Sequence, residues 1–275
     1  MRHFTDPEYL KNKQYADSAN LNARIRLHQL YDTNPYSLQM WTFSRMLEGA
    51  PSAPSPYRVL ELGCGTGELW TQNRHRIPQD RAVVLSDFSQ GMLNDARARL
   101  SDVGFQYCAI DAQEIPFSDQ TFDVVAAHFM LYHVPNRVKA ISEIRRVLKP
   151  SGVFYAITLG KNHMRELHEM VHGIAPGIFP PDDVGSHPFC LENGAEQLRA
   201  MFGHVELIRY DCALQVTNPQ HLVEYAQSMN VFPEALTGDH IERLRQNVQK
   251  LIVDHGSFVI SKDTGLFAAS GHKRG

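Results

Sequence analysis

Val59-Leu60-Glu61-Leu62-Gly63-Cys64-Gly65-Thr66-Gly67 is the stretch on which the fold turns. An apolar run ends in an acid, and three glycines follow at alternate positions before a helical segment begins. That order describes a strand feeding a tight turn, where glycine lets backbone approach a bound molecule closely. Two other loops share parts of the pattern. A dinucleotide fingerprint would use Gly63 and Gly65, but Glu68 stands at its third glycine position and would repel a pyrophosphate. A phosphate loop needs Gly-Lys-Ser/Thr, which the chain lacks. The plain alternative is a glycine turn with no ligand.

Outward from this loop, strand and helix signals alternate. Arg58–Leu62 is predicted as the first strand and Arg81–Ser86 as the second, with Ser89 capping a helix to Leu100. Phe105–Ile110, Phe122–His128 and Val153–Leu159 are strands three to five. A helix from about Asn136 to Leu148 and the turn Lys149-Pro150-Ser151-Gly152 join the last two. Continuous apolar strands separated by helices imply a buried parallel sheet, with any ligand at the strands' carboxyl ends.

The flanks read differently. In the first fifty residues, Leu21, Ile25, Leu27, His28 and Tyr31 form a weak apolar stripe. Asn34-Pro35 is the predicted start of a strongly apolar helix, and Pro51, Pro54 and Pro56 form a stiff linker. After strand five come a His- and Met-rich helix (161–175), a Pro/Gly loop (176–189), a helix (192–202) and the strand His204–Tyr210. Helices at about 219–228 and 237–255 then lead to an expected hairpin, FVIS and LFAAS flanking Lys262-Asp263-Thr264-Gly265. The expected division is an N-terminal helical lid (1–50), a sheet core (57–160), and cap helices with the last strands (161–275).

Composition bounds the partners. A chain of 275 residues is one large domain or a domain with a cap. Hydrophobic content of 43% suffices for a core, and 21% charged residues argue against disorder. Net charge is −3 and no Lys/Arg run exceeds a pair, so no nucleic-acid footprint is visible. No apolar stretch reaches the roughly 18 residues of a membrane span. The first residues lack a signal-peptide core, so a cytoplasmic location is expected. Cys64, Cys108, Cys190 and Cys212 contain no C-x-x-C pair and read as reduced thiols without a metal site. Asp87, twenty residues after Gly67, is placed either to accept two hydrogen bonds from a ribose diol or to cap the following helix.

Five motifs in order carry a family resemblance: VLELGCGTG (59–67), LSDFSQGML (85–93), DAQEIPF (111–117), FDVV with HFMLYHV (122–134), and LKPSG (148–152). Together they resemble class I S-adenosylmethionine (SAM) methyltransferases, in the small-molecule, ubiquinone/menaquinone methyltransferase-like (type-11) branch. The likeness covers residues 58–159. Ser151 departs from the familiar L-K-P-G-G, which a turn tolerates.

The resemblance implies a Rossmann-like, mostly parallel seven-stranded sheet with helices on both faces and a helical cap. It implies SAM as cofactor. Gly63, Cys64, Gly65 and Gly67 would hold its amino-acid end, and Glu61 would order that end. Asp87 would take the ribose. Phe88 and Met92 would enclose the adenine, Asp111 would accept from its amino group, and the backbone of Ala112 would meet a ring nitrogen. His128 would lie over the sulfonium, touching the methionine part or the substrate, and is the catalytic candidate. His133 reads either as a packed histidine or as part of the substrate pocket.

The same resemblance implies an N-terminal helix folded over SAM. Arg24 would then pair with the cofactor carboxylate and Tyr15 would cover the sulfonium. Ordinary helix surface or core is the alternative for both. His168-Glu169-Met170-Val171-His172 matches the zinc-protease pattern H-E-x-x-H, but Ala175 and Ile178 break its extended form. No metal is expected there. His163 and His168 read instead as pocket-lining or as solvated surface. No N-P-P-Y-like tetrad follows strand four, which disfavours the amino-group chemistry of DNA and glutamine methyltransferases. The expected reaction is in-line methyl transfer to a small molecule. Attack at another SAM carbon, releasing methylthioadenosine, and non-catalytic SAM binding stay open.

Overall fold

The computed structural model describes residues 5–16, 18–48, 57–176, 187–229 and 236–272. The proline linker and most of the Pro/Gly loop expected at 176–189 lie outside the described residues. The N-terminal segment is helical: α1 (Pro7–Tyr9), a π-helical turn (Leu10–Gln14), α2 (Ala19–Tyr31) and α3 (Leu38–Glu48). Asn34 does not start α3. Its Oδ1 accepts from Tyr36 N–H in a local turn, and Ser37 Oγ accepts from Met40 N–H three residues later. Pro35 therefore sits in the turn, and Ser37 supplies the helix cap.

The core follows as β1 (Tyr57–Leu62), α4 (Glu68–Gln72), β2 (Arg81–Asp87), α5 (Gln90–Arg99), β3 (Gln106–Ala109), β4 (Phe122–His128), α6 (Arg137–Val147) and β5 (Leu148–Leu159). Ser89 Oγ and Asn136 Oδ1 cap α5 and α6 as their positions predict. The remaining elements are α7 (Arg165–Ile174), α8 (Gly194–Arg199), β6 (Phe202–Tyr210), β7 (Ala213–Val216), α9 (Pro219–Gln227), α10 (Gly238–His255), β8 (Phe258–Ser261) and β9 (Thr264–His272). α7 runs through Gly173 and stops at Ile174, within the helix expected over 161–175.

The main sheet has seven strands in the order β3-β2-β1-β4-β5-β9-β6. β1 to β5 are mutually parallel, and β9 runs antiparallel between β5 and β6. Order reverses at β1, whose neighbours are β2 and β4, so the crevice of this Rossmann-like fold opens above the carboxyl ends of those strands. One core layer packs α6 and α8 against the sheet, and a second packs α3, α4 and α5 on the opposite face. Asp123, buried in β4, accepts from Lys149 Nζ at 2.8 Å and from Arg58 N–H at 2.9 Å, tying β1, β4 and β5 together.

The expected FVIS/LFAAS hairpin does not form. β8 pairs antiparallel with β7 in a separate two-stranded sheet, while β9 crosses into the main sheet. The residues between them are fixed by distant partners. Lys262 Nζ donates to Asp32 at 2.6 Å, and Asp263 accepts from Arg209 Nη1 at 2.5 Å. The segment therefore changes sheets rather than folding back on itself.

A third core belongs to the cap. It unites Leu27 of α2, Leu167 and Val171 of α7, Leu222 of α9, Leu244 of α10 and Ile260 of β8. The N-terminal helix α2 and the elements after β5 thus share one apolar interior. Among the described residues, no helix is long and apolar enough to cross a membrane.

Candidate functional site

Gly63, Gly65 and Gly67 have φ of +69°, +54° and +73°. Only glycine adopts three such angles in one loop at little cost. A Cβ on Gly63 would stand 2.9 Å from Met130 Cβ, and one on Gly65 would stand 3.1 Å from Leu21 Cδ2. The loop is therefore packed between the exit of β4 and helix α2. Cys64 N–H donates to Ser86 O, and the buried thiol is held well above its ordinary range by burial and by the nearby Asp87 and Glu61. Cys64 acts here through its backbone.

Asp87 ends β2 beside this loop. Its Oδ2 accepts from Gly65 N–H at 2.9 Å and its Oδ1 from Ser89 N–H at 2.8 Å. Burial pushes its carboxyl up to about 6, against the pull of the Ser89 and Gly65 N–H groups. Asp111 follows β3, and its Oδ1 accepts from Gln113 N–H at 2.8 Å. Ala112 is buried behind it. Phe88 is exposed with Lys11 Nζ 5.6 Å over its ring, whereas Met92 is fully buried in α5.

Glu61 and His128 end adjacent strands and meet. Glu61 Oε1 lies 2.9 Å from His128 Nδ1, and Glu61 Oε2 accepts from Trp70 Nε1–H at 2.5 Å. Their side chains are 3% and 9% exposed. His128 Nε2 is buried and has no hydrogen-bond partner among the described residues. Immediately after it, Phe129 adopts φ +54°, a left-handed conformation that costs a bulky residue about 1–3 kcal/mol. Trp70 gave no sign of this role in the sequence beyond its place on the first turn of α4.

Above the crevice, the lid and cap contribute a polar cluster. Tyr15 Oη and His133 Nε2 share a hydrogen bond of 3.0 Å. Arg24 lies 5.5 Å over the Tyr15 ring, and its Nη2 is buried with no hydrogen-bond partner among the described residues. Burial opposes the Arg24 cation, but the facing phenols of Tyr15, Tyr132 and Tyr225 hold it above its ordinary range. His28 packs edge-on to Tyr225 and 6.1 Å from the His163 ring. Burial pushes His28 down to about 3 and His168 to about 4, and holds His163 well below its usual value. These are neutral imidazoles.

The structure thus gathers His28, Tyr132 and Tyr225, which the sequence had not assigned to the pocket, with Arg24, His133 and His163. No helical period announces them, because they come from α2, the exit of β4, the turn before α7, and α9. Among the described residues, no three His, Cys, Asp or Glu side chains converge as metal ligands.

Residues 60–156 match the family model described as a methyltransferase domain. The ubiquinone/menaquinone biosynthesis C-methyltransferase UbiE of Blochmanniella pennsylvanica is 32% identical over 145 residues, covering 49% of this chain and 57% of that protein. The enzyme of the same name from Idiomarina loihiensis is 35% identical over 127 residues, covering 45% of this chain and 51% of that one. The alignments span about half the length of these curated relatives. Among solved structures, Haemonchus contortus phosphoethanolamine N-methyltransferase 2, in complex with S-adenosyl-L-methionine, superposes with a TM-score of 0.57 at 20% identity, covering 98% of this chain and 60% of that one. YcgJ of Bacillus subtilis gives 0.56 at 16% identity, over 85% of this chain and 99% of that one. These two establish the fold.

Proposed function

We propose that the chain, whose residues 60–156 match the methyltransferase-domain model, is a SAM-dependent methyltransferase of the class I, type-11 branch acting on a small-molecule acceptor. The observation that carries this reading is the glycine cradle joined to Asp87. Three left-handed glycines leave room for a ligand's backbone-facing end, and Asp87 Oδ2 fixes the loop through Gly65 N–H.

The residues present fit SAM. Each Asp87 oxygen keeps a free lone pair beyond its one backbone bond, sufficient for a ribose diol. Asp111, with Ala112 and the exposed Phe88, would take the adenine, and the buried Met92 would support it from below. Arg24, a buried cation with an unpartnered nitrogen, would receive the carboxylate. Tyr15, tethered to His133, would lie over the sulfonium. Glu61 has both oxygens engaged, so it would order the methionine end through His128 and the loop backbone it fixes.

SAM supplies an activated methyl group when bound. What the chain must add is positioning and exclusion of water, which in favourable cases contribute about 7–11 kcal/mol. The acceptor would occupy the space between α2, the β4 exit and the cap, beside His28, His133, His163 and His168. A solvent-facing cytoplasmic enzyme without nucleic-acid partners accords with the modest negative charge. Untargeted product analysis with SAM labelled at the methyl carbon tests the proposal. A labelled small molecule plus S-adenosylhomocysteine is the expected result. Methylthioadenosine as the product would redirect it to non-methyl chemistry, and binding without turnover would reduce it to a SAM-binding protein.

A further inference from the structure

The ring nitrogens of a buried histidine are normally hydrogen-bonded, and one left without a partner calls for an explanation. His128 satisfies one. Its Nδ1 is held by Glu61 at 2.9 Å, and Nε2 is buried without a partner among the described residues. Glu61 as a carboxylate only accepts, so the proton of this bond lies on Nδ1, and in the neutral form of the ring the lone pair is then on Nε2. Glu61 cannot swing away, because Trp70 Nε1–H holds its other oxygen at 2.5 Å. The left-handed turn at Phe129 takes the chain out of the sheet directly after His128, whose register partner on β5 is Ile157. Titratable groups near the pair are Cys64 and Asp87, both electrostatically coupled to Glu61. Tyr15 and His133, on the lid side, are bonded to each other.

We propose that Glu61 and Trp70 lock His128 in the tautomer of a base, and that the acceptor is therefore a molecule whose reacting oxygen or carbon carries a proton it must lose. The inference rests on the methyltransferase reading. As the acceptor atom bonds to the methyl carbon, the methyl–sulfur bond breaks and its electron pair stays on sulfur. The acceptor's proton passes to His128 Nε2. The resulting imidazolium is held by the Glu61 carboxylate until it releases the proton to solvent. Glu61 and Trp70 are positioning residues, and thioethers and tertiary amines are excluded as acceptors.

Long-range proton–nitrogen NMR on histidine-labelled protein tests the lock, with His128→Asn used to assign the signals. At pH 7.5, with and without S-adenosylhomocysteine, His128 is expected to be neutral, with Nδ1 protonated and Nε2 bare. In Glu61→Gln the two tautomers are expected to mix. A ring protonated at Nε2, either as the other neutral form or as an imidazolium, overturns the proposal. On the acceptor found by methyl labelling, His128→Asn is expected to lower kcat about 100-fold or more, while SAM affinity stays within about tenfold. In His128→Gly, added imidazoles should restore turnover in order of their basicity. An acceptor without a proton on its reacting atom, or a His128→Asn enzyme with full kcat, also overturns it. Failure of the unaltered protein to bind SAM would overturn the methyltransferase reading instead and leave the tautomer result standing.

Discussion

The glycine loop and the cap treat polar groups in opposite ways. Around the loop, Asp87 is met by two backbone N–H groups, Asp111 by one, and Ser86 Oγ donates to Glu61 O. Under the cap, Arg24 Nη2 and His28 Nδ1 are buried with no hydrogen-bond partner among the described residues. A group left in that condition costs about 1–3 kcal/mol. The carboxylates beside the loop are held before a ligand arrives, so they can hold a constant molecule, although Thr66 Oγ1 within the loop is itself buried with no hydrogen-bond partner among the described residues. The cap side carries its deficit until something fills it. That division suits an enzyme with one invariant cosubstrate and one specific acceptor.

The strongest break in the comparison is Asp87→Ala. It removes the carboxylate offered to the ribose and also the anchor of Gly65. A loss of about 2–4 kcal/mol in SAM affinity is expected, roughly 30- to 1,000-fold. Calorimetry on a folded variant checks it, and unchanged affinity would remove Asp87 from the site.

A smaller effect follows from acidity at the same position. Burial raises the Asp87 carboxyl from 3.8 to about 6 in the ligand-free protein. A carboxyl raised on folding binds more protons in the native state. Its contribution is then fully present below about pH 4 and fades as pH climbs through 6. Ligand binding runs the other way, since the ribose hydroxyls need the ionised form. SAM affinity should therefore fall about tenfold from pH 7 to pH 5. In Asp87→Asn the curve should be flat over that window. A wild-type curve equally flat would show that another group limits binding.

Much of this architecture was legible beforehand, and the reasons are local. β1, β2, β4 and the Val153–Leu159 part of β5 are mostly apolar runs, and Ser89 and Asn136 cap helices by a bond to residues three places on; the expected turn Lys149-Pro150-Ser151-Gly152 instead lies within β5, where the register with β4 shifts. What stayed hidden depends on partners far away in sequence. Lys262 through Gly265 has the chemistry of a tight turn, but Asp32 and Arg209 decide that it bridges two sheets. β7, a four-residue strand, has no signal apart from β8. The same limit applies to the site. Glu61, Asp87 and Asp111 sit at fixed offsets from strand ends, whereas Trp70, His28 and Tyr225 meet their neighbours only through the tertiary fold.

Gly65→Ala probes the junction of the two regions. Its φ of +54° disfavours any side chain, and the new methyl would crowd Leu21 Cδ2 at 3.1 Å. A destabilisation of about 1–2 kcal/mol is expected, readable by chemical denaturation. If α2 can shift to admit the methyl, the cost should stay near 1 kcal/mol while SAM affinity falls, because the lid no longer seats on the loop.

The smallest effect, and the one with the most informative sign, is expected from His28→Leu. The imidazole is buried between Tyr225 and His163, neutral, and unpartnered at Nδ1. Leucine is of similar size and belongs with Leu27 and Leu222 in the adjoining apolar core. Replacing an unsatisfied polar group by an apolar one of like shape is neutral or stabilising. A gain of up to about 1 kcal/mol should raise Tm by about 2–4 °C in a chain of this size. Turnover on the acceptor should fall while SAM affinity holds, since Asp87 and the glycine loop lie on the other side of the cleft. Thermal unfolding and cofactor calorimetry on one preparation separate the cases. A lower Tm would mean that His28 is satisfied in solution and serves the cap as structure, and the contrast between the bonded carboxylates of the loop side and the incomplete cap would then rest on Arg24.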